Sequence, residues 1–151
     1  MKKIIVIGSL NMDLVTRVKL TPKIGETVLG NGLEKIPGGK GANQAVAIGR
    51  LKGNVSLMGL VGDDKFGKQL VKNLIRNNVD CERVAIIQNQ PTGTALIMVN
   101  EDGDNSIVVI PGANYELKPM HIKADIFDSY DYLLAQLETP VETIEEAFKE
   151  A

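Results

Sequence analysis

The chain opens on Ile4-Ile5-Val6-Ile7-Gly8, a continuous apolar run rich in β-branched residues. Such a run fits a strand buried on both faces, hence a parallel sheet covered by helices. The stretches Leu14 to Val18 and Thr27 to Ile36 are different: short, half polar, and separated by the turn residues Thr21-Pro22-Lys23-Ile24-Gly25. They predict a β-β pair rather than a βα unit. Thr94 to Val99 and Ser106 to Ile110 predict a second pair, with Glu101-Asp102-Gly103-Asp104 as the hairpin signal between them. Four such strands, 14–18, 27–36, 94–99 and 106–110, do not suit a doubly wound core. They predict a small separate sheet inserted between βα units. Standing over the carboxyl edge of the main sheet, it would be a lid able to exclude water; the alternative is an edge extension of the same sheet.

Between those pairs the pattern alternates strand and helix. Ala45, Val46, Ile48 and Leu51 mark a helix from Ala42 to Leu51, and Val55 to Val61 is the next strand. Gly62-Asp63-Asp64 ends that strand, and either aspartate can cap the helix carrying Phe66, Leu70, Val71, Leu74 and Ile75. That helix stops near Asn77-Asn78. Arg83 to Ile87 predicts a third main strand, and Gln90-Pro91-Thr92-Gly93 turns the chain into the second hairpin. Pro111-Gly112-Ala113-Asn114 reads as a loop, Pro119 to Phe127 as a helix with His121 as a surface residue near its start. Asp131 to Leu137 predicts the fourth main strand, with Glu138 at its carboxyl end. Thr139-Pro140 is an N-cap and first-position signal for a helix whose apolar face is Ile144, Ala147, Phe148 and Ala151.

The predicted architecture is α/β and Rossmann-like, a mainly parallel sheet flanked by helices, plus the lid, all in one domain over 1–151. A βα crossover normally delivers the chain to another parallel strand. None follows the last helix, so the sequence reads as the amino-terminal portion of a longer domain. An uncovered sheet edge and apolar faces would then favour self-association.

Composition changes this picture little. The 151 residues are 44% hydrophobic and 24% charged, with a net charge of −2. That balance carries no electrostatic footprint for nucleic acid, and scarce aromatics without Trp argue against base-stacking platforms. A lone cysteine, Cys81, excludes an internal disulfide and fits a reducing compartment. No apolar run reaches membrane-spanning length, so the expectation is a cytoplasmic protein without membrane partners.

The candidate chemistry centres on Pro37-Gly38-Gly39-Lys40-Gly41-Ala42-Asn43-Gln44. Glycines inside a helix would each cost roughly 1 kcal/mol relative to Ala, so they predict a turn feeding a helix N-terminus. Backbone N–H groups and partial positive charge gather at such an end. Lys40 adds a full charge, and Asn43 a donor and an acceptor. A donor-rich pocket of this kind suits a polyhydroxylated or anionic small molecule; a tight connection with an exposed lysine fits the residues equally. The stretch is neither G-x-x-x-x-G-K-[ST] nor G-x-G-x-x-G, since Gly41 follows Lys40 and Gln44 stands where the last glycine would be. The first strand ends Gly8-Ser9-Leu10-Asn11, without the glycine spacing that a nicotinamide-dependent oxidoreductase requires. Ser9, Asn11 and Asp13 follow the first strand at its carboxyl end, the edge where open α/β sheets bind ligands. Taken singly, Asn11 and Asp13 also fit an Asx-turn.

Seven short motifs, in order, resemble the ribokinase family of carbohydrate kinases, also called PfkB-type. They are Gly8-Ser9-Leu10-Asn11-Met12-Asp13, Gly25-Glu26-Thr27, Gly38 to Ala45, Val61-Gly62-Asp63-Asp64 with Phe66-Gly67, Thr92-Gly93-Thr94-Ala95, Pro111-Gly112-Ala113-Asn114 and Gln136-Leu137-Glu138. They span the whole chain but match only the amino-terminal half of a family member. The resemblance implies that Asn11, Asp13, Gly39, Lys40, Asn43 and Glu138 bind a sugar. It further implies transfer of the ATP γ-phosphoryl, with Mg²⁺ and a monovalent cation such as K⁺, to the sugar's terminal hydroxyl. Lys40 and Gln44 look most like members acting on D-ribose, and 1-phosphofructokinases share the Gly-Gly-Lys-Gly stretch. The family's base aspartate sits in a Gly-Ala-Gly-Asp motif that these residues do not contain, so no catalytic residue is assigned and the chain alone is expected to be inactive. A homodimer through the lid is implied as well. A non-catalytic sugar-binding or regulatory relative is the alternative.

Overall fold

The computed structural model describes residues 1–151. Eight strands and three helices follow one another: β1 (Lys3–Ile7), β2 (Asn11–Val18), β3 (Gly30–Gly38), α1 (Lys40–Arg50), β4 (Asn54–Gly62), α2 (Lys65–Arg76), β5 (Val84–Ile87), β6 (Gly93–Val99), β7 (Asn105–Ile110), β8 (Tyr132–Ala135) and α3 (Val141–Glu150). Two sheets form. The first, in the order β5-β4-β1-β8, is wholly parallel. The second, β3-β2-β6-β7, has antiparallel outer pairs around a parallel β2·β6 pair.

The parallel sheet explains the unbroken apolar run of β1. Ile5 and Ile7 pack on one face with Leu117, Ile126, Phe127, Ile144 and Ala147. Val6, one residue out of phase, packs on the other with Ala42, Ala45, Leu70 and Leu74 of α1 and α2. Alternate side chains of a strand point to opposite faces, so a strand covered on both sides must be apolar throughout. The Asp64 carboxylate caps α2 by accepting from Gly67 N–H at 2.8 Å. It also accepts from the N–H and hydroxyl of Thr92 at 2.8 and 2.7 Å, tying the helix to the residue before β6.

Several boundaries differ from the sequence expectation. β2 begins at Asn11, not Leu14, so Asn11 and Asp13 lie on a strand of the second sheet and form no Asx-turn. β3 covers Gly30–Gly38 rather than 27–36, and α1 starts at Lys40, two residues early, with Gly41 in its first turn. The expected helix over 119–127 is instead the short 3₁₀ turns Pro119–His121 and Ala124–Ile126. Ile122 and Ile126 fill the core there without a continuous helix between them. Pro140, not Thr139, holds the N-cap position of α3, and the Thr139 hydroxyl has no partner. Phe148 is exposed although Ile144 and Ala147 are buried.

Candidate functional site

The second sheet leans over the carboxyl end of the first, because β2 starts where β1 has just ended. Its register sets the rows of the cavity roof. Asp13 pairs with Ala95, which pairs with Val109; Val15 pairs with Ile97, which pairs with Ile107. Paired residues share a face, so Asn11, Asp13, Ala95, Ile97, Ile107 and Val109 look down into one space. Gly39, Lys40 and Asn43 of the α1 entrance and Glu138 beyond β8 close it from below. The cavity they line measures about 360 Å³. All six candidates named from sequence, scattered from position 11 to position 138, therefore meet in one place.

Larger cavities exist elsewhere: about 380 Å³ among Pro37, Val46, Arg50, Leu70 and Asn73, and about 440 Å³ along α2 beside Ile86. Neither contains a carboxylate. Chemistry rather than volume selects the site under the lid.

Gly39 makes the junction possible. Its φ is +90°, and a Cβ there would lie 2.7 Å from the Ser9 carbonyl oxygen and 2.8 Å from the Asn11 nitrogen. A Cβ on Gly41 would similarly meet the backbone of Gly8 and Ser9 at 2.7 Å. The glycines thus serve close approach of the helix entrance to the β1–β2 connection, beyond merely forming a turn.

Lys40 is not the free charge the sequence suggests. Its ammonium pairs with Glu138 Oε1, while its N–H donates to Glu138 Oε2 at 3.0 Å. The buried Ser9 hydroxyl donates to the same oxygen at 2.6 Å. Ser9 belongs to the first motif, but nothing in the sequence indicated that it would orient Glu138 from 129 residues away. The Gln136 amide likewise donates to Gln44 Oε1 of α1.

The two carboxylates are tuned in opposite directions. Burial pushes Asp13 up from the ordinary 3.8, and the Glu138 charge pushes it the same way. Burial also raises Glu138, but donation from Lys40 and Ser9 outweighs it and holds the group below 4.5. By linkage, Glu138 contributes stability that is present above its unfolded value and lost as pH falls through its folded one. Asp13 has the opposite sign: its ionised form costs stability above its folded pKa, and acid relieves that cost. The association constant of a ligand bound through ionised Asp13 should therefore begin to fall, on acidification, at a higher pH than for an ordinary aspartate, and Asp13→Asn should abolish that fall. Calorimetric titrations at a series of pH values between neutral and the onset of acid unfolding check this; the same pH dependence in Asp13→Asn as in the unaltered chain would contradict it.

No three His, Cys, Asp or Glu side chains gather as a metal cluster would require. His121 accepts the Lys118 N–H at 2.9 Å, outside the cavity. Burial lifts the Cys81 thiol to about 11, which leaves it unreactive. No helix is long and apolar enough to cross a membrane.

Comparison with known proteins fits this geometry. The profile described as pfkB family carbohydrate kinase matches residues 1–151. A ribokinase of Bacillus subtilis is 44% identical over 151 residues, covering 99% of this chain and 51% of that protein. The crystal structure of ribokinase from Cryptococcus neoformans in complex with ADP superposes with a TM-score of 0.90 at 36% identity, over 100% of this chain and 47% of that one. Arabidopsis thaliana ribokinase complexed with ribose and ATP gives 0.84 at 31%, over 99% and 51%. The chain spans about half the length of the curated relatives it matches.

Proposed function

The chain belongs to the pfkB family of carbohydrate kinases, and from that premise we propose that it forms the sugar-gripping and lid part of an ATP-dependent kinase. The reaction is transfer of the γ-phosphoryl group to the terminal hydroxyl of D-ribose, giving ribose 5-phosphate and ADP. The observation that carries this is the meeting of Asn11, Asp13, Gly39, Lys40, Asn43 and Glu138 in one cavity.

Each member suits a neutral polyol. Ionised Asp13 accepts hydrogen bonds from two neighbouring hydroxyls at once. The amide of Asn43 donates and accepts, and that of Asn11 supplies a further donor. Ala95, Ile97, Ile107 and Val109 form an apolar roof that keeps water from the bound sugar. With Lys40 neutralised by Glu138, the site favours an uncharged sugar over a sugar phosphate, which sets the 1-phosphofructokinase-like alternative behind ribose.

ATP with Mg²⁺ supplies the phosphoryl group and shields its charge, and a monovalent cation assists. None of the site residues is assigned to those ions. The base that takes the hydroxyl proton is an aspartate of a Gly-Ala-Gly-Asp motif, which the 151 residues lack. Self-association through the outer face of the lid, where Leu96, Val108 and Ile110 are exposed, belongs to the same proposal, as does a cytoplasmic location.

The test is a sugar panel with two readouts. This chain should bind D-ribose saturably in calorimetry yet release no ADP in a coupled assay. A longer chain that includes the base motif should turn over. Turnover by these 151 residues, or failure to bind any pentose or ketose, would contradict the proposal. Binding with no turnover in the longer chain would instead favour a non-catalytic sugar-binding relative.

A further inference from the structure

Asn114 is 2% exposed and stands outside the set of residues proposed to touch the sugar. Its side chain is nevertheless fully engaged. Oδ1 accepts the Leu10 N–H at 2.9 Å, and Nδ2 donates to the Leu10 carbonyl at 3.2 Å, the Pro111 carbonyl at 3.0 Å and Asn11 Oδ1 at 2.8 Å. Three of these four contacts are with backbone groups, whose donor or acceptor character is fixed. Turned around, the Asn114 amide would set its NH₂ against an N–H and its oxygen against two carbonyls. Only one orientation is possible. The atom of Asn11 that receives Asn114 must then be its carbonyl oxygen.

This leaves the Asn11 NH₂ free of partners within the chain. Asn11 lines the cavity under the lid and a neighbouring one of about 250 Å³ formed with Pro111, Asn114, Tyr115 and Leu137, whereas Asn114 lines only the second. Gly93 leaves the room for the paired amides, since a Cβ there would collide with both Asn11 Oδ1 and Asn114 Nδ2.

We propose that Asn114 is a positioning residue that locks Asn11 as a hydrogen-bond donor toward the substrate. The inference rests on the sugar-binding reading of the cavity. Asn11 donates and ionised Asp13, two residues along the same face of β2, accepts. A hydroxyl satisfies both by receiving from Asn11 and giving its own proton to Asp13. An ether oxygen satisfies only Asn11, and a C–H group satisfies neither. The pair therefore selects for hydroxyl polarity as well as position, and Asn114 enforces that selection without touching the sugar.

A double-mutant cycle tests this. Asn11→Ala, Asn114→Ala and the double variant are compared with the unaltered chain for D-ribose affinity by calorimetry, each checked for folding by circular dichroism. Asn114→Ala should weaken ribose about 10-fold, the loss of one well-aimed hydrogen bond. The double variant should bind within about 2-fold of Asn11→Ala alone, because Asn114 acts only through Asn11. Additive losses, or an unchanged affinity in folded Asn114→Ala, would overturn the proposal. If Asn114→Ala does not fold, Asn11→Asp replaces it. That variant keeps the Asn114 bond but turns the free donor into an acceptor, so it should bind more weakly than Asn11→Ala; binding at the unaltered level would overturn the proposal. If the unaltered chain binds no ribose, the sugar reading fails, and the Asn11 side-chain NH₂ resonances still decide positioning. Asn114→Ala, or Asn114→Ser should Ala not fold, should move both toward the two separate values of an unrestrained asparagine side chain; unchanged resonances would overturn it.

Discussion

Asp13→Asn is expected to lower D-ribose affinity by about 100-fold while leaving the chain slightly more stable. The affinity loss follows from what the carboxylate offers. Two hydroxyl donors lose a charged acceptor and meet an amide that can accept at only one atom, a change of about 3 kcal/mol for a desolvated charged contact. The stability gain follows from the same environment. Burial penalises the Asp13 charge, and Glu138 repels it across the cavity. Asparagine has nearly the same shape and carries no charge, so both penalties vanish. Asp13 remains partly open to solvent, so the gain is small, about 1–2 °C in Tm. Opposite signs for stability and binding mark a residue kept for its ligand rather than for the fold. A variant that loses affinity only because it loses stability would contradict the assignment.

Gly39→Ala is expected to be the most damaging single methyl addition to the site. A residue with a side chain at φ +90° pays about 1–3 kcal/mol in backbone strain alone. The added Cβ also meets three backbone atoms of Ser9, Leu10 and Asn11 at 2.7 to 3.0 Å, and backbone cannot swing aside as a side-chain tip can. The expected total is about 3 kcal/mol or more, a fall in Tm of roughly 6–12 °C. Ribose affinity should fall as well, since moving the α1 entrance moves Lys40 and Asn43. Gly32→Ala is the control: its φ is also positive, at +72°, but no atom lies within 4 Å of the added methyl. It should cost only about 1 kcal/mol and leave ribose binding intact. Equal costs for the two variants, measured by thermal unfolding, would show that the close approach at Gly39 is not what positions the site.

The parts of the molecule legible in the sequence were those set by local pattern. The apolar run at 4–7 marked a strand covered on both faces, and helical spacing in Leu70 and Leu74 marked α2. The half-polar pairs at 14–18 and 94–99 marked strands outside the main sheet. Each signal reports burial, and burial follows periodicity. The start of β2 was not legible. Asn11 and Asp13 are turn-forming residues by composition, and pairing with Gly38 and Ile36 on one side and with Gly93 and Ala95, over eighty positions away, on the other makes them strand. The 119–127 segment was not legible either: it reads as one helix, whereas Ile122, Ile126 and Phe127 reach the core from two short 3₁₀ turns and the residues that follow them.

The cavity was legible as a list of residue types at one edge of the sheet, Glu138 among them, and the family resemblance added a sugar as their ligand. Its internal wiring was not legible. That Glu138 neutralises Lys40, that Ser9 aims Glu138, and that Asn114 fixes the Asn11 amide all depend on contacts across more than 95 positions. No periodicity or spacing encodes such contacts, because they join segments that meet only in the folded chain.

The central claim is that this cavity, and no other, holds a sugar. Titration of D-ribose into the ¹⁵N-labelled chain, followed by backbone amide shifts, tests it most directly. The expected result is a saturable change centred on Asn11, Asp13, Gly39, Lys40, Asn43 and Glu138. Saturable shifts centred instead on Arg50 and Asn73 of the α1–α2 cavity, or no saturable shift at all, would contradict it.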